Sequence, residues 1–87
     1  MEGWINRMTK SELKQRLVKE NIPTDVYSLE GGLPNEVYCL GRNGVKWEVY
    51  YSERGQKTSL ETFQIEEDAC NFFHNWLIKS LKSIGVI

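Results

Sequence analysis

Two cysteines, Cys39 and Cys70, are too few for a disulfide scaffold in a chain of 87 residues. Cysteine usage this sparse fits a reducing compartment, and the expected location is the cytoplasm. No apolar run approaches the ~18 residues that a membrane-spanning helix needs, so no membrane partner is expected. The first residues, Met1-Glu2-Gly3-Trp4-Ile5-Asn6-Arg7, lack the basic and apolar segments of a signal peptide. Only 7 glycines and 2 prolines accompany a hydrophobic share of 40%, which excludes disordered and fibrous classes. Lys and Arg number 11 against 12 Asp and Glu, a net charge of −1 that excludes a polybasic nucleic-acid binder. No repeat or linker divides the chain, so a single domain spanning residues 1–87 is expected. A domain this small has little room for both a core and a deep catalytic cleft.

The elements follow from capping and periodicity. Thr9-Lys10-Ser11-Glu12 fits a capping box, and Leu13 and Leu17 place a narrow apolar stripe on a helix over about 9–20. Asn21 and Pro23 end it. From Asp25 to Phe63 the period changes to two. Strands are expected at Val26–Leu29, Glu36–Leu40, Val45–Ser52 and Lys57–Phe63. Gly31-Gly32-Leu33-Pro34-Asn35, Gly41-Arg42-Asn43-Gly44 and Arg54-Gly55 supply the turns between them. A final helix runs from about Glu66 to Lys82, with Ala69, Phe72, Phe73, Trp76 and Leu77 facing the core. Its first turn holds Glu66, Glu67 and Asp68, and Lys79 and Lys82 lie near its end, as the helix dipole favours. The expected fold is therefore α+β. It is a four-stranded antiparallel meander with an N-terminal and a C-terminal helix packed on one face, in the order α-β-β-β-β-α.

Register assigns the faces. Pairing Leu40 with Val45 and Ser52 with Lys57 sets Tyr38 opposite Trp47 and Val49 opposite Leu60. The helix-covered face then carries Tyr38, Leu40, Val45, Trp47, Val49, Tyr51 and Leu60. The other carries Val37, Cys39, Lys46, Glu48, Tyr50, Ser59 and Glu61, with no helix left to cover it. Such a face reads as a contact surface.

Charge is unevenly distributed. Residues 1–24 carry +2, residues 25–68 carry −5, and residues 69–87 carry +2. An acidic sheet between two mildly basic helices suits a basic partner. The candidate partner-binding residues are Glu48, Tyr50 and Glu61 on the open face, with Glu30, Glu36 and Glu53 at or near its turns. Trp47 and Trp76 are assigned to the core. Tyr27 and Tyr50 suit core and interface equally.

Catalytic readings find little to rest on. The single histidine, His74, lies four residues after Cys70 on one helical face, a spacing that could serve a thiolate or a metal. No Cys-x-x-Cys or second histidine completes either arrangement, so packing is the expected role, with no cofactor and no metal. Gly31-Gly32 is too short for a phosphate loop. The element order also matches a double-stranded-RNA-binding domain. Glu66, Glu67 and Asp68 would repel phosphate where that fold needs lysines, and no nucleic-acid partner is expected.

Tyr27-Ser-Leu-Glu-Gly-Gly-Leu-Pro-Asn-Glu-Val-Tyr-Cys-Leu40, together with Trp47-Glu-Val-Tyr-Tyr-Ser-Glu-Arg-Gly55, resembles small bacterial immunity proteins. These accompany polymorphic toxins, including those of contact-dependent growth inhibition. Asp68-Ala69-Cys70 and Phe72 to Leu77 extend the resemblance, which covers about residues 25–81. It implies a cytosolic inhibitor, not an enzyme, that binds the C-terminal domain of a cognate toxin. A nuclease, and first a basic ribonuclease, is the toxin it implies. The alternatives are a double-stranded-RNA-binding-like domain and an adaptor for another protein.

Overall fold

The computed structural model describes residues 8–87. The Met1–Arg7 stretch used in the signal-peptide reading lies outside them. Helix α1 (Lys10–Lys19) opens on the expected capping box: Thr9 Oγ1 accepts from the Glu12 amide, and Glu12 accepts from the Thr9 amide. It closes through Asn21, whose φ of 60° lets Ile22 N donate to Leu17 O at 3.0 Å and Asn21 N to Val18 O. That pairing is a Schellman motif, with asparagine in place of the usual glycine.

The sheet comprises β1 (Tyr27–Ser28), β2 (Val37–Asn43), β3 (Lys46–Glu53) and β4 (Gln56–Phe63), in the spatial order β1-β2-β3-β4. Helix α2 (Glu66–Ser83) follows, lies on β2, β3 and β4, and packs against α1. The architecture is α+β with the expected element order. The antiparallel meander needs correction, because β1 runs parallel to β2, pairing Tyr27 with Tyr38 and Ser28 with Cys39. The connection 29–36 is no hairpin turn. It first continues beside β2, where Gly31 N donates to Leu40 O at 3.0 Å, and then doubles back to the start of that strand.

The first hairpin is also tighter than expected. Strand β2 runs on through Gly41, Arg42 and Asn43, and only Gly44-Val45 turn. Gly44 supplies the positive φ of 65° that a two-residue type II′ turn needs at its first position. Leu40 consequently pairs with Val49, Tyr38 with Tyr51 and Arg42 with Trp47. The displacement is an even number of residues, so the alternation keeps its sides. Leu40 and Val49 are fully buried beneath α2, with Tyr38 and Trp47 packed against the same core. Val45, now in the turn, is 81% exposed.

The pairing of Ser52 with Lys57 holds, but a β-bulge follows it. Tyr51 pairs with Thr58 and Val49 with Glu61, so Ser59 and Leu60 together stand opposite Tyr50. Ser59 adopts φ 55°, the left-handed conformation of the first residue of a G1 bulge, where glycine is usual. The extra residue reverses the sides of β4 beyond it. Glu61 therefore stands on the helix side, opposite Val49, and Leu60 loses its expected place in the core, at 46% exposure.

One core joins Met8, Leu13, Leu17, Ile22 and Leu29 with Leu40, Val49, Ala69, Cys70, Phe73, Leu77 and Leu81. In α2 the buried stripe centres on Ala69, Phe73, Leu77 and Leu81, leaving Phe72 exposed at its edge. Two polar contacts join the helices. Glu66 Oε2 accepts from the Lys10 amide at 2.8 Å, satisfying a free donor at the start of α1. His74 Nε2 lies 2.8 Å from Glu20 Oε1, and the histidine holds that carboxyl below its usual range. His74 thus serves packing between the helices.

Candidate partner-binding site

The face expected to be open is covered. Having passed Gly31, the connection 29–36 folds over β2 and β3. Tyr50 Oη donates to Gly32 O at 2.7 Å, and Asn35 Oδ1 accepts from the Arg54 amide at 3.1 Å. Cys39 and Ser52 are fully buried on this face, Tyr50 is 1% exposed and Glu48 only 7%. Glu48 is held from two sides, by Lys57 Nζ at 2.8 Å and Asn43 Nδ2 at 3.3 Å, and the lysine lowers its pKa most. Lys57 Nζ also sits 4.8 Å from the Tyr50 ring centroid. Burial, with the Cys39 and Glu48 charges adding to it, pushes the Tyr50 phenol up to about 12. Glu48 and Tyr50 therefore form an internal polar cluster and do not belong to an open surface.

Burial also governs the thiols. Cys39 sits beneath the connection and Cys70 in the helix-side core, so the sheet separates them. Both are free, and burial raises both, Cys70 to about 12. Alkylation of the native protein should be slow, and mass spectrometry after denaturation without reductant should show two modified thiols. Rapid native labelling or an intact disulfide would contradict this placement.

The remaining candidates divide. Glu30 is exposed and pairs with Lys10 Nζ at 3.0 Å, away from the sheet's far end. Glu53 and Glu61 stand on the helix side of the sheet, and Glu36 lies in the turn that precedes β2. Glu53 follows Tyr51 by two residues on β3, and Glu36 precedes Tyr38 by two beside β2. The β2–β3 pairing ends at Val37–Ser52, and Glu36, at φ 58°, lies just outside it. Both carboxylates act on the Tyr51 phenol, whose pKa is raised by burial first and then by these charges. Glu61 lies farther along β4 on the same side. None of the ion pairs among the described residues involves these three glutamates.

On the helix side is a groove of about 250 Å³ lined by Tyr38, Tyr51, Thr58, Ser59, Trp76 and Ser80. Tyr38 packs against Tyr51 with centroids 4.8 Å apart and meets Trp76 edge-on at 4.9 Å. Phe72 continues the aromatic surface, 6.4 Å from Trp76 and 5.2 Å from Phe63. The bulge shapes one wall through Ser59. Strand alternation assigns Tyr38 and Tyr51 to the core, and the helical stripe assigns Trp76 to it, but the structure leaves all three half-buried. The sequence carries one signal for this. Ser80, four residues after Trp76 on α2, is too short to extend the apolar stripe over the rings.

Among the described residues, no three His, Cys, Asp or Glu side chains gather to hold a metal. No helix among them is long and apolar enough to cross a membrane. Comparison with protein-family models, with curated proteins and with solved structures finds no match.

Proposed function

We propose that this protein is an immunity-type inhibitor. It binds the C-terminal domain of a cognate bacterial toxin, a basic ribonuclease first among nucleases, in the cytoplasm and blocks it without turnover. The observation that carries the reading is a groove of half-buried Tyr38, Tyr51 and Trp76 on the helix side of a sheet whose same side bears Glu53 and exposed Glu61. Tyrosine and tryptophan dominate binding hot spots. Carboxylates on the same side of the sheet match the cationic cleft of a nuclease, standing where substrate phosphates would lie. The resemblance of residues 25–81 to immunity proteins supports the same conclusion.

The test asks whether a neighbouring open reading frame ends in a toxin domain, and co-expresses this protein with that domain. Growth should be protected, and a stable complex should elute as one species. Its association rate should fall several-fold from low to high salt, because screening acts over ~8–10 Å at physiological ionic strength. Glu61→Lys should weaken the complex at least tenfold and leave the melting temperature nearly unchanged, since exposed substitutions usually shift stability by less than ~0.5 kcal/mol. Absence of both protection and complex would overturn the proposal. A flat salt response would remove electrostatic steering from it.

A further inference from the structure

We infer that the outer edge of β4 pairs with the same edge of a second copy of this chain. The two strands run antiparallel about a two-fold axis between Ser59 and Leu60, joining two sheets into one of eight strands. The inference does not depend on the inhibitor reading.

The edge is available. Strand β4 ends the sheet, and among the described residues nothing pairs with its outer side. Every residue from Gln56 to Thr62 is exposed. Such an edge offers a row of free N–H and C=O groups, which natural proteins guard with charged side chains or bulges. Lys57 is no guard here. Its ammonium is drawn back over the far face, 2.8 Å from Glu48 Oε1 and 4.8 Å from the Tyr50 ring centroid.

The bulge selects the occupant. Arg54 and Gly55 have φ of 52° and 73°, a two-residue type I′ turn, so Glu53 and Gln56 exchange hydrogen bonds across it. Alternation from that pair turns the backbone of Thr58 toward β3 and that of Lys57 outward. Beyond the bulge the bonded pairs are Val49–Glu61 and Trp47–Phe63, which leaves Thr62 pointing outward. Lys57 and Thr62 are thus separated by an odd number of residues, whereas outward groups on an unbroken strand are separated by even numbers. A regular partner strand can match only half of this edge. A second β4 carries the same odd spacing. Run antiparallel, its Thr62 pairs with Lys57, and its Lys57 with Thr62.

The sides agree in that register. Gln56, Thr58, Glu61 and Phe63 stand on the helix side, Lys57 and Thr62 on the other. Thr58 meets Glu61 of the second copy, and Gln56 meets its Phe63, both pairs on the helix side. No like charges stand opposite each other. The two Leu60 side chains, 46% exposed in the single chain, meet beside the axis. Phe72, exposed and packed on Phe63 at 5.2 Å, gains cover at each end of the ladder. The same patch serves both copies, so assembly closes at two. Thr58 also lines the Tyr38–Tyr51–Trp76 groove, and the pairing brings a carboxylate of the second copy to that wall.

Sedimentation equilibrium of the full chain, from micromolar to near-millimolar concentration, should show a reversible approach to twice the chain mass. In a mixture of isotope-labelled and unlabelled chains, intermolecular NOEs should link the Thr58 and Glu61 α-protons, which a non-hydrogen-bonded pair holds close. Thr62→Pro removes an outward N–H and leaves the β3–β4 ladder intact. Leu60→Asp sets two carboxylates beside the axis. Each should weaken association at least tenfold, while the melt of the dilute monomer stays near that of the parent. A single-chain mass throughout, intermolecular contacts in another register or through α2, or undiminished association in either variant would overturn the inference. So would a parent that stays monomeric and takes up an extended strand of the toxin domain at this edge. Toxin protection is measured separately, so loss of the dimer with protection intact counts against this inference alone.

Discussion

Glu48→Lys should destabilise the protein by ~3–5 kcal/mol, the loss typical of a buried ion pair left with an uncompensated charge. The sequence pattern alone makes this residue an exposed contact whose charge reversal spares the fold. The structure instead gives it 7% exposure and encloses its carboxylate between Lys57 Nζ and Asn43 Nδ2. A lysine here would sit beside Lys57 beneath the connection 29–36. Small domains have ~5–15 kcal/mol in total, so the variant should lose a large share of it. At ~4–8 °C per kcal/mol for a domain of this size, the melting temperature should fall by ~12 °C or more. Glu48→Gln keeps an acceptor for Asn43, and Lys57 is exposed enough to turn toward water, so its loss should be nearer ~1–2 kcal/mol. Thermal and urea unfolding of both variants decide the matter. A parent-like melt for Glu48→Lys would mean that the connection does not cover this face in solution.

The same ion pair sets an acid response. Lys57 first, and then Asn43, hold the Glu48 carboxyl below its usual range against the opposing effect of burial. A carboxyl lowered on folding contributes stability above its unfolded pKa of ~4.3. That contribution is lost as pH falls through the depressed folded value. Glu20, lowered chiefly by His74, acts in the same direction.

The second large effect belongs to Gly41. A Cβ built there would stand 2.9 Å from the Gly31 Cα and 3.5 Å from the Tyr50 hydroxyl. The Gly31 contact is backbone and cannot swing aside. Gly31 itself holds a φ of +68° where the chain leaves β2, so the two glycines let the strand and the connection touch. Gly41→Ala should cost ~1–3 kcal/mol through overpacking, and Gly41→Val more. The loss should appear locally as well as globally. The Gly31 amide, bonded to Leu40 O, should exchange with solvent faster, and the Tyr50–Gly32 hydrogen bond should loosen. Tyr50→Phe removes only that hydrogen bond and should cost ~0.5–1.5 kcal/mol. Unchanged stability and unchanged Gly31 exchange in Gly41→Ala would mean that the close approach does not exist.

By itself the sequence determined the helix starts, the strand order along the chain and the face that meets the helices. Thr9 and Glu12 mark the start of α1, and the 3.6-residue stripe marks α2. The alternation of Tyr38, Leu40, Trp47, Val49 and Tyr51 identifies the face that meets the helices. That assignment survives a wrong pairing because the error is an even number of residues, and even displacements preserve sides. What pairs with β2 on its outer edge, and what covers the second face, were decided only in the tertiary structure. Gly31-Gly32 signals a change of direction in either case, and no local periodicity tells a hairpin from a strand that doubles back over the sheet. The candidate site shows the same division. Glu36, Glu53 and Glu61 are legible as acidic candidates, but one inserted residue at Ser59 moves Glu61 to the other side, while the folded connection buries Glu48 and Tyr50. A bulge and a covering segment are set by contacts between residues far apart in the chain. Alternation within a strand carries no record of them.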